Sequence, residues 1–263
     1  MKYIYFITLL VLASATFGSA QFDNISDGCK NKLTALLGDQ NINACFPFTA
    51  ITPLVSNTGS MPSQDALKKA ADAICGLPKC SDSLVSQTQT DVKSACQADI
   101  TAKNPIATLV DVVLTLYSPT RDSICFKNST GGYCFIESQA ATQQVLQSAP
   151  KGQDPTLTFA GAPKEAVCTP CNKAIVNTYL NFQKTNPNAF SDIKEITPQD
   201  IDNAKSALTG KCGPNFIDGQ VGDSTESLDK FQSQSANQKS DAMYLIANRM
   251  SFVALVGTIL ATI

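Results

Sequence analysis

The chain is 263 residues long, 43% hydrophobic and 16% charged, with ten cysteines, no histidine and no tryptophan. That length allows one or two domains with a real core, and a formal net charge of −2 supplies no field to attract phosphate, which argues against a nucleic-acid partner. Without histidine, Ser-His-Asp and Cys-His catalysis and His-ligated metal sites are all excluded.

Residues 1–20, MKYIYFITLLVLASATFGSA, carry one lysine, then an apolar stretch, then Gly18-Ser19-Ala20. Small residues at Gly18 and Ala20 suit signal peptidase, so the expected mature chain starts at Gln21 and enters the secretory pathway. All ten cysteines, Cys29, Cys45, Cys75, Cys80, Cys96, Cys125, Cys134, Cys168, Cys171 and Cys212, lie beyond that cut. An even number behind a signal peptide reads as five disulfides, because that route is oxidising. Ten cysteines allow about 945 pairings, so the connectivity stays open. Two N-glycosylation sequons agree with the compartment: Asn24-Ile25-Ser26 and Asn128-Ser129-Thr130.

The first expected elements are helices. Asn31–Leu37 starts a short one, and QDALKKAADAIC over Gln64–Cys75 has apolar residues at helical spacing with lysines opposite. Leu84–Ile100 and Ile106–Tyr117 continue the pattern. IATLVDVVLTLY is apolar nearly all round, as expected of a central buried helix; its β-branched residues also fit a strand, but its length favours helix. SICFKNSTGGYCFI, Ser123–Ile136, reads differently: two short aromatic and apolar runs flank a glycine-containing loop, the pattern of a β-hairpin. Cys125 and Cys134 would face each other across it as a cross-strand disulfide, with Asn128 at the tip. Glu137–Gln147 returns to helix.

Residues 149–163, APKGQDPTLTFAGAP, are rich in proline and glycine and mark the expected sub-boundary or long loop. A helical segment follows from Cys168 to Asn186. Thr197-Pro198-Gln199-Asp200 then opens another, with Thr as cap, Pro in the first turn and an acidic residue at the positive end of the dipole; it should end near Gly210. Seven cysteines precede the boundary and three follow it, so if all are paired at least one disulfide crosses and residues 21–213 form one body. The expected fold class is mainly α, a disulfide-stapled helical bundle with one short β-hairpin at about 123–136. Beyond Gly213 the composition turns polar, and residues 214–240 read as a flexible stalk.

The chain closes on SFVALVGTILATI, Ser251–Ile263. Thirteen helical residues rise about 20 Å against a hydrocarbon core of roughly 30 Å, and extension back to Met243 takes in Asn248 and Arg249, which is costly in a membrane. Ser240-Asp241-Ala242, the spacer MYLIANRM and the apolar tail instead match a GPI-attachment signal. Ser240 is the expected attachment site, with Ser235, Ala236 and Asn237 as alternatives, and residues 241–263 as the discarded propeptide.

Chemistry is sparse. No phosphate-binding loop or nucleotide fingerprint is present, and no cofactor is expected. The mature chain has four glutamates, Glu137, Glu165, Glu195 and Glu226, scattered without a motif, and three tyrosines to stack on sugars. Cys168-Thr169-Pro170-Cys171 has redox spacing, but helices surround it rather than a βαβ unit, so each cysteine is expected to bond a different partner. Asp200-Ile201-Asp202 and Asp218 to Asp223 lack a calcium-loop pattern.

NACFPF (Asn43–Phe48), ICGLPKCS (Ile74–Ser81), YSPTRDSICFKN with the following YC (Tyr117–Cys134) and CTPCNKAIVNTY (Cys168–Tyr179) resemble a family of fungal secreted, cysteine-rich proteins of unknown function, many ending in GPI signals. The resemblance covers roughly Cys29–Cys212 and implies a fungal cell surface and a disulfide-stapled helical fold. It carries over no catalytic residues. The expectation is therefore a non-enzymatic protein on the extracellular face of the plasma membrane or in the cell wall. Its partners would be the outer leaflet, through a GPI anchor, and a cell-wall polysaccharide or surface protein. The alternatives are a wall-glycan hydrolase or transferase using a carboxylate pair, and a saposin-like lipid-binding protein.

Overall fold

The computed structural model describes residues 25–47, 63–139, 163–190, 193 and 198–221. The expected leader, Asn24, Glu195, Glu226, Ser240 with its alternatives Ser235, Ala236 and Asn237, the 149–163 segment up to residue 162, and the 241–263 tail lie outside them. The described residues are predominantly helical, as composition and periodicity required. The chain divides into two compact units, Met1–Arg121 and Asp122–Ile263, within the helix Tyr117–Cys125. The proline- and glycine-rich segment 149–163 falls inside the second unit.

In the first unit, the first helix begins earlier than periodicity alone indicated. It spans Asp27–Gly38, because Ser26 caps it, its hydroxyl accepting from the Cys29 backbone N–H. That places Cys29 in the first turn. A four-residue turn, Gln40–Asn43, follows on an Asp39 cap. Gln64–Cys75 is helical as expected: Leu67, Ala70, Ala71 and Ile74 are buried, an i, i+3, i+4, i+7 stripe, and Lys68 pairs with Asp72 at 2.8 Å on the outside. Asp82–Thr101, capped by Ser81, buries Thr88, Val92, Cys96 and Asp99 on one face. Pro105–Thr115, capped by Asn104 with Pro in its first turn, settles the helix-or-strand ambiguity as helix. Ala107, Leu109 and Val110 on it are buried.

The core of this unit joins Ile25, Cys29, Leu33, Val92, Cys96, Ala107 and Val110, and the Cys29–Cys96 disulfide sits inside it, with Cα atoms 4.5 Å apart. Asp111 is buried on the otherwise apolar Pro105–Thr115 helix. Lys93 Nζ approaches it at 3.6 Å and Gln89 Nε2 donates to it at 3.4 Å, both from the neighbouring Asp82–Thr101 helix. A buried carboxylate so placed fixes the rotation of the two helices, since any other register would strand its charge.

In the second unit, the hairpin expected over 123–136 contracts to a single antiparallel bridge, Lys127 to Tyr133. Ser123 to Cys125 belong to the preceding helix, and residues 134–139 are already helical. The expected Cys125–Cys134 disulfide does not form: Cys134 bonds Cys171, with Cα atoms 5.1 Å apart. The register is the reason. Cys134 N–H donates to Phe126 O, so Cys134 lies opposite Phe126, while Cys125 is the last residue of the preceding helix.

The long helix of this unit is Pro170–Thr185. Thr169 caps it, accepting from Asn172 N–H, and Cys171, Asn172, Ala174, Ile175, Val176, Asn177 and Tyr179 are buried along it. Pro198–Cys212 follows, two residues longer than expected at its end. Gly213 then turns the chain at φ 93°, a left-handed conformation that suits glycine. The folded body continues past Gly213, where composition placed the start of the stalk. Pro214–Ile217 forms a 3-10 turn, and Phe216 enters a core with Ala166, Val167, Val176 and Leu208.

Asn177, fully buried, holds this strap. Its Nδ2 donates to Phe216 O at 2.9 Å and to Lys173 O at 3.0 Å, and its Oδ1 accepts from Gly219 N–H at 2.9 Å. Asn177→Ala removes these bonds and leaves Phe216 O and Gly219 N–H to find other partners, so it should cost about 2–4 kcal/mol. Thermal unfolding of the oxidised protein reads the loss, and hydrogen exchange should show lost protection at Gly219 before the rest of the unit. Lys173 also bonds Asp218 at 2.7 Å. That bond, first, and the Gln220 N–H, second, hold the Asp218 carboxyl below its ordinary value of 3.8. Because the folded value is the lower one, this contribution is present above about pH 4 and fades as pH falls through the depressed value. Lys173→Met should bring the Asp218 carboxyl titration, followed by NMR, back up toward 3.8.

Candidate functional site

The four sequence stretches that carry the family resemblance turn out to build polar staples. In the first unit, Cys45 and Cys80 form a disulfide, with Cα atoms 5.0 Å apart, and pack with Tyr117 in one buried cluster. Phe46 meets the Tyr117 ring edge-on at 6.1 Å, a favourable aromatic geometry. The Tyr117 hydroxyl accepts from Cys80 N–H at 3.0 Å, and one helical turn on, Arg121 donates to Leu77 O at 2.9 Å. Tyr117 and Arg121 thus clamp the Gly76–Ser81 loop between two helices, supplying partners for backbone groups that a buried turn would otherwise leave unpaired.

In the second unit the elements converge on Cys134 and Cys171. Asn172, next to Cys171, donates to Ala166 O and Val167 O, both at 3.0 Å, and accepts from Ser138 Oγ at 2.6 Å. Cys168 bonds Cys212 rather than its near neighbour. The two cysteines of the CTPC motif therefore staple one helix start to two different segments, as expected. No free dithiol exists there for disulfide exchange, since all ten cysteines are disulfide-bonded. Cys134–Cys171 also crosses the 149–163 segment, as the cysteine count demanded.

Sequon residue Asn128 sits in the surface loop next to that staple. Its Oδ1 accepts from Thr130 N–H (3.1 Å), Thr130 Oγ1 (2.8 Å) and Gly132 N–H (2.8 Å), while its Nδ2 donates to Glu137 Oε2 at 2.8 Å. Lys127 Nζ lies 4.7 Å from the centroid of the Tyr133 ring, within cation–π range. The first sequon, Asn24-Ile25-Ser26, is visible through Ser26, whose hydroxyl donates to Asp99 Oδ2 at 2.6 Å and whose N–H donates to Asp99 Oδ1 at 3.0 Å.

The carboxylates considered for glycan chemistry are not brought together among the described residues: Glu137 is engaged by Asn128 and Glu165 is exposed on the Lys164–Val167 turn. The buried carboxylates that sequence reading passed over, Asp99 and Asp111, are occupied by Ser26 and by Gln89 and Lys93. Asp218 is taken by Lys173, and Asp202 lies 3.8 Å from Lys205. Among the described residues no group of three potential ligands could hold a metal ion, and no helix is long and apolar enough to cross a membrane. Sequence reading also missed Tyr117, Arg121, Asn172 and Asn177 as anchors. The usable signal was a polar residue on an otherwise apolar helical face, as at Asn172 and Asn177.

The fold and its staples define a disulfide-stapled helical domain. Residues 13–221 match the model of DUF7729, a domain of unknown function, and the chain belongs to that family. The match ends at residue 221, just past the strap that Asn177 holds. No curated protein and no solved structure matches the chain.

The Tyr117 clamp can be tested directly. Tyr117→Phe keeps the ring and its packing but leaves Cys80 N–H buried without its acceptor. It should destabilise the oxidised protein by about 1–3 kcal/mol in urea unfolding with an unchanged slope.

Proposed function

We propose that this chain is a GPI-anchored, non-catalytic glycoprotein on the outer face of the plasma membrane of a fungal cell, acting as a binding or wall–membrane interface module. The observation that carries the reading is the oxidation of all ten cysteines, which fits a protein matured in an oxidising compartment. The signal-like residues 1–20 and the small-spacer-apolar pattern from Ser240 onward supply the two processing signals. The non-catalytic half of the proposal is supported by the use of the distinctive residues. Tyr117, Arg121, Asn172, Asn177 and the CTPC cysteines are each bonded to backbone or to a distant cysteine. A reactive centre needs a poised, accessible group, and these residues are committed to holding loops against helices.

Intact cells expressing an epitope-tagged chain should release it on treatment with phosphatidylinositol-specific phospholipase C, and Ser240→Pro should reduce its surface display. Protein that stays with the membrane after both this enzyme and nitrous acid cleavage would remove the anchor from the proposal.

A further inference from the structure

The two sequons differ in how soon folding takes their reactive groups away. N-glycosylation needs the acceptor amide nitrogen and a hydroxyl two residues on. In the folded chain both are engaged at the second sequon: Asn128 Nδ2 is bonded to Glu137, and the Thr130 hydroxyl donates to Asn128 Oδ1. The loop closes tightly around the amide, since a Cβ on Gly132 would lie only 3.2 Å from Asn128 Nδ2. Further bonds close the same loop, from Asn128 N–H to Gly132 O and from Cys134 N–H to Phe126 O.

We propose that Asn128 is a glycan acceptor whose occupancy is set by a race between oligosaccharide transfer and closure of its own loop. At the first sequon the Ser26 hydroxyl is not engaged until Asp99 has been made. This rests on the secretory reading given above. In the transfer, Asn128 Nδ2 attacks the anomeric carbon of an oligosaccharide carried on a lipid pyrophosphate. The N–C bond forms, and the C–O bond to pyrophosphate breaks, its electron pair leaving with the lipid pyrophosphate. One Nδ2 proton is lost to a base of the transferase. An Nδ2 already donating to Glu137 must first be released.

Sequence separation decides who wins. Glu137 follows Asn128 by nine residues, whereas Asp99, which engages the hydroxyl of the first sequon, follows Ser26 by 73. At about 5–20 residues per second, those intervals are roughly 0.5–2 s and 4–15 s. Once its residues have emerged, a short loop closes in microseconds or less. The Asn128 loop therefore begins to close almost as soon as it is made, and Cys134–Cys171 later ties the end of the loop to the Pro170–Thr185 helix.

The test is translation of the full chain with its own leader into microsomes, with site occupancy read by peptide mass spectrometry after deglycosylation in heavy-oxygen water. Occupancy is read on the peptide, so a variant that fails to reach its native state still reports. Wild type should carry near-complete glycan at Asn24 and about twofold less, or lower, at Asn128. Glu137→Ala removes the clasp, and Gly131→Ala strains a residue at φ 83° outside the sequon. Each should raise Asn128 occupancy by roughly 1.5-fold or more, by weakening one charged hydrogen bond or one turn, without changing Asn24. Equal, complete occupancy of both sites in wild type overturns the proposal. So does low Asn128 occupancy that neither substitution moves. If neither site is modified the proposal also falls, and protease protection of the chain then separates the two failures: a protected chain leaves the secretory reading standing, and an unprotected one removes it.

Discussion

Covalent cross-linking is the constraint on which the rest of this protein depends. Among the described residues the helices are half polar, and the clusters they bury are modest, such as the five that include Phe216. Four of the five bonds, from Cys29 to Cys96, Cys45 to Cys80, Cys134 to Cys171 and Cys168 to Cys212, span 67, 35, 37 and 44 residues. In the chain-entropy account each such loop destabilises the unfolded state by about 4 kcal/mol. A single bond is thus comparable with a sizeable part of the 5–15 kcal/mol that usually separates folded from unfolded domains. Because the cross-links limit what the unfolded chain can do, the hydrophobic clusters need not be large.

Cross-links bring segments together but do not orient them, and orientation falls to buried polar side chains. Asp99 receives Ser26 twice, Tyr117 and Arg121 take the backbone of the Gly76–Ser81 loop, and Asn172 and Asn177 gather carbonyls and amides from neighbouring turns. Each anchor lies close to a cysteine in sequence or in space: Ser26 beside Cys29, Asn172 beside Cys171, Tyr117 against Cys45 and Cys80. The pairing is physically sensible. A disulfide holds two backbones near 5 Å, and the polar anchor then satisfies groups that this approach has removed from water.

This accounts for what the most distinctive motifs do among the described residues. NACFPF, ICGLPKCS, YSPTRDSICFKN and CTPCNKAIVNTY mark the places where loops are stapled to helices, and their uncommon residues are spent on that task. The rest of each unit is the surface that this frame leaves to solvent. Among the described residues that surface is polar, with Val221 the one large hydrophobic side chain left exposed.

Much was legible from the sequence alone. Helical class, the Gln64–Cys75 helix, the helical reading of Ile106–Tyr117 and of the segment from Cys168, and the separate partners of Cys168 and Cys171 follow from local rules of period, composition and cysteine number, which need no distant partner. What only the tertiary structure decided were matters of pairing and register. Cys134 bonds Cys171 rather than Cys125 because one bridge sets Cys134 opposite Phe126. Pro214–Ile217 belongs to the body rather than the stalk because Asn177, 39 residues earlier, binds the Phe216 carbonyl. Ser26 and Asp99 look like ordinary surface residues in a row of letters. Their roles arise from what lies across from them in space, and hydrogen bonding between residues dozens of positions apart leaves no periodic mark in the chain.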